Sequence, residues 1–276
     1  RHAVRAVRDG APLSGELSGM QRLLQVMRQL RDPQSGCPWD LAQDGPALAR
    51  YTLEEAHELV AALESTDTRG VRDELGDLLF QIVFHAQLAE ERGEFDFDAV
   101  ASAIADKLIR RHPHVFGSVA SGEASGTALR WEQIKAGERA ARGDPGVLDD
   151  VPVALPALMR ATKLGKRAAA VGFDWPDAAG ARAKVLEELA EIETAQAGEG
   201  PERVAEEVGD LLLAATSLSR MLGVDAETAL RRANQRFESR FRHMERLAAE
   251  RGLKLDALSA AQWDALWEEG KRAIQS

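Results

Sequence analysis

Leu53-Glu-Glu-Ala-His-Glu-Leu59 and Asp73-Glu-Leu-Gly-Asp-Leu-Leu79 decide the fold of this chain, because both recur further on. They return as Leu186-Glu-Glu-Leu-Ala-Glu-Ile192 and Glu206-Glu-Val-Gly-Asp-Leu-Leu212, each shifted by the same 133 positions. Trp131-Glu-Gln-Ile-Lys135 returns as Trp267-Glu-Glu-Gly-Lys271 at an offset of 136. One long repeat predicts two similar units in tandem, not a solenoid, which needs three or more short repeats.

Working outward, Ala, Leu, Glu and Arg recur at spacings of three and four, and no alternating strand pattern is found. The spacing predicts an all-α protein with helices over 16–30, 47–64, 70–92, 97–112 and 128–141 in the first half. In the second it predicts 153–170, 178–197, 202–222, 225–250 and 259–274. Pro113 and Gly198-Glu-Gly-Pro201 punctuate the joints, a Ser- and Gly-rich run at 117–127 reads as a mobile loop, and Gly143-Asp-Pro-Gly146 as a linker. The expected domains are an N-terminal extension 1–17, a helical bundle unit 18–142, a linker 143–152 and a second unit 153–276.

Composition narrows the function. The chain has 276 residues, 45% hydrophobic and 29% charged, enough for a core and against wholesale disorder. Its formal charge of -10 argues against a nucleic-acid polymer as partner, which calls for a basic face. No run approaches the ~20 apolar residues of a membrane span. The basic start, Arg1-His-Ala-Val-Arg, has no apolar stretch behind it and does not read as a signal peptide. A single cysteine, Cys37, rules out an internal disulfide and multi-cysteine metal sites. The expected location is the cytoplasm.

The acids fall in a pattern. Glu55 and Glu58 share one helix face, as do Glu74 and Asp77 on the next helix. A short turn makes the two helices antiparallel neighbours, so residues equidistant from it face each other. Glu55 with Asp77 and Glu58 with Glu74 both centre on position 66; Glu188 with Asp210 and Glu191 with Glu207 both centre on 199. Four carboxylates therefore meet in one patch, twice. A lone Glu-Glu-x-x-Glu is usually a solvated face. Mirrored acids with apolar flanks in two copies instead predict cation sites. Oxygen ligands without a His or Cys common to both halves favour Mg²⁺, with Mn²⁺ as an alternative, over zinc. His57 has Ala190 as its counterpart, which weakens it as a ligand.

Such sites commonly grip phosphate, with Lys or Arg on the remaining oxygens. The second half offers Lys184, Arg203, Arg236, Arg240 and Lys271; the first offers Lys107, Arg110, Arg111 and Lys135. Tyr51 stands where the second half has Lys184, and Gly70 where it has Arg203, so the second half is better equipped for a polyphosphate. Trp131 and Trp267 are candidates to stack on a base or to pack the bundle. No Walker-type phosphate loop is present.

Glu54-Glu55-x-x-Glu58 followed by Glu74-x-x-Asp77 resembles the signature of the MazG nucleoside triphosphate pyrophosphohydrolases. So do Cys37-Pro-Trp-Asp40, the run from Asp106 to Gly117, Val171-Gly-Phe-Asp-Trp175 and Asp264-Ala-Leu-Trp-Glu268. The likeness spans about residues 18 to 275. It implies tandem all-α units, a homodimer, and Mg²⁺-dependent cleavage of NTPs and dNTPs to monophosphate and pyrophosphate. Carried over, Glu188, Glu191, Glu207 and Asp210 are metal ligands, and Lys184, Arg236, Arg240 and Trp267 contact nucleotide. The resemblance further implies that the C-terminal unit is the main catalytic one. For the proton of the attacking water, Glu187 and Glu191 both stay open. Two competing readings are a narrower pyrophosphohydrolase, of phosphoribosyl-ATP or dUTP, and a non-catalytic helical scaffold whose acids buffer metal.

Overall fold

A computed structural model describes residues 17–65, 68–116, 137, 146–198 and 200–274. The chain divides into two compact units, residues 1–125 and 126–276, and among the described residues there is no strand.

In the first unit, α1 (Gly19–Leu30) is opened by a capping box, Ser18 with Gln21. A single-turn α2 (Pro38–Leu41) leads into the long pair α3 (Gly45–Ser65) and α4 (Thr68–Glu91), followed by α5 (Phe97–Arg111), capped by Asp96, and a short α6 (Pro113–Phe116). α4 is the central helix, packed on α1, α3 and α5. Met27, Leu48, Val83, Phe84 and Leu88 form the core, with Tyr51 and Leu79 against it. Arg31 clamps α2 to this core. Its guanidinium donates to the Asp40 and Gln43 carbonyls, pairs with Glu91 and lies 5.6 Å over the Phe84 ring.

The second unit repeats the plan. It holds α7 (Ala157–Ala170), α8 (Ala178–Gly198), α9 (Pro201–Met221), α10 (Ala226–Glu250), a 3-10 turn (Leu255–Ala257) and α11 (Ala260–Ile274). α8 packs along α9, α7 packs on α9, and α10 pairs with α11 around Met244, Ala248 and Leu266. Pro201 at the first helical position starts α9.

The long helices lie within a few residues of where periodicity placed them. The single-turn helices α2 and α6 and the 3-10 turn were not anticipated. The described part of the expected linker, residues 146–152, belongs to the second unit: Val151 is buried and Asp150 pairs with Arg167. The expected extension before Leu17, the loop at 117–127, nearly all of the helix at 128–141, and Trp131 and Lys135 lie outside the described residues.

Candidate metal and phosphate site

The α8–α9 hairpin brings the predicted carboxylates together. Glu188 on α8 meets Glu207 and Asp210 on α9, with one oxygen of each within 4.8 Å of the others. Glu188 is 3% exposed and Glu207 2%. Burial pushes the Glu207 carboxyl above its usual range, opposed by Arg203 and reinforced by Glu191, Glu188 and Asp210. Glu191 is thus an electrostatic neighbour of the cluster. Two cations hold the group: Lys184 Nζ is 2.7 Å from Glu187 and 2.7 Å from Glu188, and Arg203 pairs with Glu206 and Glu207. These carboxylates hold the Lys184 ammonium well above its ordinary pKa.

The α3–α4 hairpin builds the counterpart from Glu55, Glu58 and Glu74, again within 4.8 Å, with Asp77 as an electrostatic neighbour of Glu55. Burial, then the surrounding acids, push Glu55 and Glu74 upward. The cation positions are filled differently. Tyr51 packs edge-on against Trp39, 5.9 Å between ring centres, with Arg50 over its face, and Gly70 stands in place of Arg203.

In each hairpin one of the two expected facing pairs meets, Glu58 with Glu74 and Glu188 with Asp210, while Asp77 and Glu191 stand outside the two groups of three, and the donor set suits a hard cation. All donors are carboxylate oxygens. Glu188 Oε2 is buried and has no hydrogen-bond partner, which is costly unless something fills its lone pairs.

A pocket of about 430 Å³ opens beside the second cluster. Lys184, Glu188 and Asp210 form its charged end. Leu164, Gly165 and Ala168 of α7 line one wall, Leu213, Ala214, Ser217 and Arg220 of α9 another, and Phe173, Asp174 and Trp175 the rim. Of the expected nucleotide contacts, only Lys184 is in this lining. Arg203 stays at the carboxylates. Arg236, Arg240, Trp267 and Lys271 lie on the α10–α11 pair and do not line the pocket. There Arg240 sits 5.7 Å over the Trp267 ring, Phe237 packs on Trp267 and Lys271 pairs with Glu268, while Arg236 is exposed. In the first unit Lys107 and Ile104 of α5 border a groove with Phe95, which precedes that helix.

Phe173, Arg220 and the apolar walls were missed as site residues. The signal for the α9 wall was available, since Leu213, Ala214, Ser217 and Arg220 recur at helical spacing on the face of Asp210, and Phe173 stood inside the Val171-Gly-Phe-Asp-Trp175 motif without a role.

Fold and site together define an all-α protein of two tandem units, each folding a helical hairpin around carboxylates suited to a hard metal ion. The chain belongs to the MazG nucleotide pyrophosphohydrolase family, whose domain model matches it twice, at residues 43–116 and 179–245. Both carboxylate clusters fall inside the matched segments. It is 48% identical over 258 residues to the nucleoside triphosphate pyrophosphohydrolase of Escherichia coli (strain K12), covering 93% of this chain and 98% of that protein. To the Thermotoga maritima protein named nucleoside triphosphate pyrophosphohydrolase/pyrophosphatase MazG it is 41% identical over 252 residues, 91% of this chain and 95% of that one. A Mycolicibacterium smegmatis nucleoside triphosphate pyrophosphohydrolase is 35% identical over 157 residues, 55% of this chain and 48% of its own length.

Proposed function

We propose that this chain is a nucleoside triphosphate pyrophosphohydrolase that cleaves NTPs and dNTPs to the monophosphate and pyrophosphate at the α8–α9 site with Mg²⁺, Mn²⁺ being able to substitute. The observation that carries the reading is Glu188. It is a buried carboxylate with one partnerless oxygen, set between two other acids and the charged end of a pocket. Family membership and the names of the relatives support it.

Glu188, Glu207 and Asp210, with Glu191 beside them, would hold the ion, which supplies Lewis-acid polarisation and charge neutralisation when bound. Lys184 stands where the pocket meets the carboxylates and is placed to take phosphate oxygens. Arg203 supplies a second positive charge at the other side of the cluster. Glu187 is 57% exposed and committed to Lys184. Glu191 stands beside the cluster one turn beyond Glu188 and is the group placed to accept a proton. Arg236, Arg240, Trp267 and Lys271 are retained as nucleotide contacts on the resemblance alone. Glu55, Glu58, Glu74 and Asp77 form a second metal site, with Tyr51 and Gly70 at the positions where the α8–α9 site has Lys184 and Arg203.

The protein is further read as a cytoplasmic homodimer. No described helix is long and apolar enough to cross a membrane, and Leu186, Leu189 and Leu212 leave an exposed apolar strip on α8–α9 that a second copy would cover. The deciding experiment is NMR or ion chromatography of products from a panel of NTPs with Mg²⁺. Equal amounts of monophosphate and pyrophosphate are expected, lost on Glu207→Gln. Inorganic phosphate and a diphosphate would overturn the assigned bond, cleavage of one nucleotide alone would favour the narrower enzyme, and no turnover would favour the scaffold.

A further inference from the structure

The pocket has a second charged end. Asp210 and Arg220 lie on one face of α9, ten residues and about 15 Å apart, so Arg220 stands far from the carboxylates. Its guanidinium is bidentate on Asp174: Nη1 donates to Oδ2 at 2.9 Å and Nη2 to Oδ1 at 2.6 Å. The pair joins residues 46 apart in sequence and is largely buried, with side chains 13% and 24% exposed.

The rim that this pair pins is fixed on both sides. α7 ends in a Schellman motif: Gly172, at φ +89°, donates to the Ala169 carbonyl, and Phe173 to that of Ala168. Asp177 caps the start of α8 through the Ala179 and Gly180 amides. Between them, Asp174 Oδ1 accepts the Trp175 amide at 3.0 Å. Two glycines seat the side chains. A Cβ on Gly180 would come within 2.7 Å of Trp175 Cδ1, and one on Gly165 within 3.3 Å of Arg220 Nε. Phe173 alone is left out. It lines the pocket yet is 81% exposed, a large ring on a backbone held in place around it. Such a ring loses little freedom when a flat ligand covers it.

We propose that Phe173 is the stacking surface for the nucleobase, and that Arg220, through Asp174, is the positioning residue that aims it. This rests on the reading of the site as one for a nucleoside triphosphate and names how the nucleoside end is held. The rim precedes the second segment matched by the family model, which begins at residue 179.

The test combines steady-state KM and kcat for NTP hydrolysis with inhibition by inorganic tripolyphosphate, which has the phosphates and no base. Phe173→Ala, at an exposed position, should raise KM about tenfold with kcat nearly unchanged, the range expected for loss of one base–aromatic stack. Arg220→Met should move KM the same way, Arg220→Lys should restore part of it, and Phe173→Ala/Arg220→Met should be no worse than Phe173→Ala alone. Tripolyphosphate inhibition should be unchanged throughout. An unmoved KM in Phe173→Ala, additive effects in the double variant, or inhibition weakening alongside KM would each overturn the proposal. If Arg220→Met does not fold, Asp174→Asn provides the same comparison. A wild-type protein that neither hydrolyses NTPs nor binds tripolyphosphate defeats the underlying reading instead, so the two failures are distinguishable.

Discussion

Replacing Glu188 with Gln should raise the stability of the metal-free chain and abolish its response to Mg²⁺. The oxygens of Glu188, Glu207 and Asp210 lie within 4.8 Å of one another. At that distance two unit charges repel by about 3.5 kcal/mol at an effective dielectric of 20 and by about 0.9 kcal/mol in bulk water. Asp210 is exposed and Glu188 buried, so relief of that one repulsion falls between the limits, about 1–3 kcal/mol. Gln keeps the shape of Glu and places an amide donor where Oε2 now lacks a partner. Lys184 keeps Glu187, also at 2.7 Å, so little is lost there. At about 2–4 °C per kcal/mol, Tm in chelator should rise by roughly 2–12 °C. In Mg²⁺ the variant's advantage is offset or reversed. The wild type gains about 2.7 kcal/mol when the ion is at a hundred times its Kd, and the variant gains nothing. Scanning calorimetry in chelator and in Mg²⁺ reads both. A variant less stable than wild type in chelator would make Glu188 a structural partner of Lys184, and an undiminished Mg²⁺ shift would put the ion elsewhere; either refutes the reasoning.

Lys184→Met should lower kcat/KM by about a hundredfold, the scale for losing one preorganised donor to a reacting phosphate, while the Mg²⁺ shift in Tm persists; pyrophosphate release and calorimetry check the two halves. Glu91→Gln should destabilise the first unit by about 1–2 kcal/mol at neutral pH, since a charge-assisted bond to the Arg31 clamp is lost. Arg31 holds the Glu91 carboxyl below its usual range, so the wild type's advantage is full above about pH 4.3 and vanishes as pH falls through the lower folded value; melts across that range should show the gap closing. Gly70→Arg places a cation one turn before Glu74, as Arg203 stands before Glu207, and should bring the Glu74 carboxyl down, read by ¹³C NMR titration.

The carboxylate patches were legible because a hairpin with a tight turn converts sequence distance into spatial distance: Glu188 and Asp210, centred on 199, do meet. Helix positions were legible for the same local reason, period and punctuation. The single-turn helices were not, since four residues such as Pro38–Leu41 carry no period. The pocket was illegible as a whole because its walls come from three helices and a rim. The contact that closes it, Asp174 with Arg220, spans 46 residues and no local pattern. The α10–α11 bases illustrate the converse. Their residue types suit phosphate, yet Arg240 spends its guanidinium on the Trp267 face and Lys271 its ammonium on Glu268.

The seats at Gly165 and Gly180 bear on how this chain can acquire heat tolerance. A glycine inside a helix is an obvious place to gain stability, since alanine there is worth about 0.5–1 kcal/mol. Gly76 and Gly209, each beside a carboxylate cluster, have nothing within 4 Å of a new Cβ and offer that gain without collision. At Gly180 the same substitution drives a methyl group to 2.7 Å from Trp175, and at Gly165 it crowds Arg220 Nε at 3.3 Å. A lineage adapting to heat would therefore be free to lose the first two glycines, held to Gly180, and able to lose Gly165 only as far as Arg220 gives way, so bystanders and keystones among these helical glycines should separate on that ground alone.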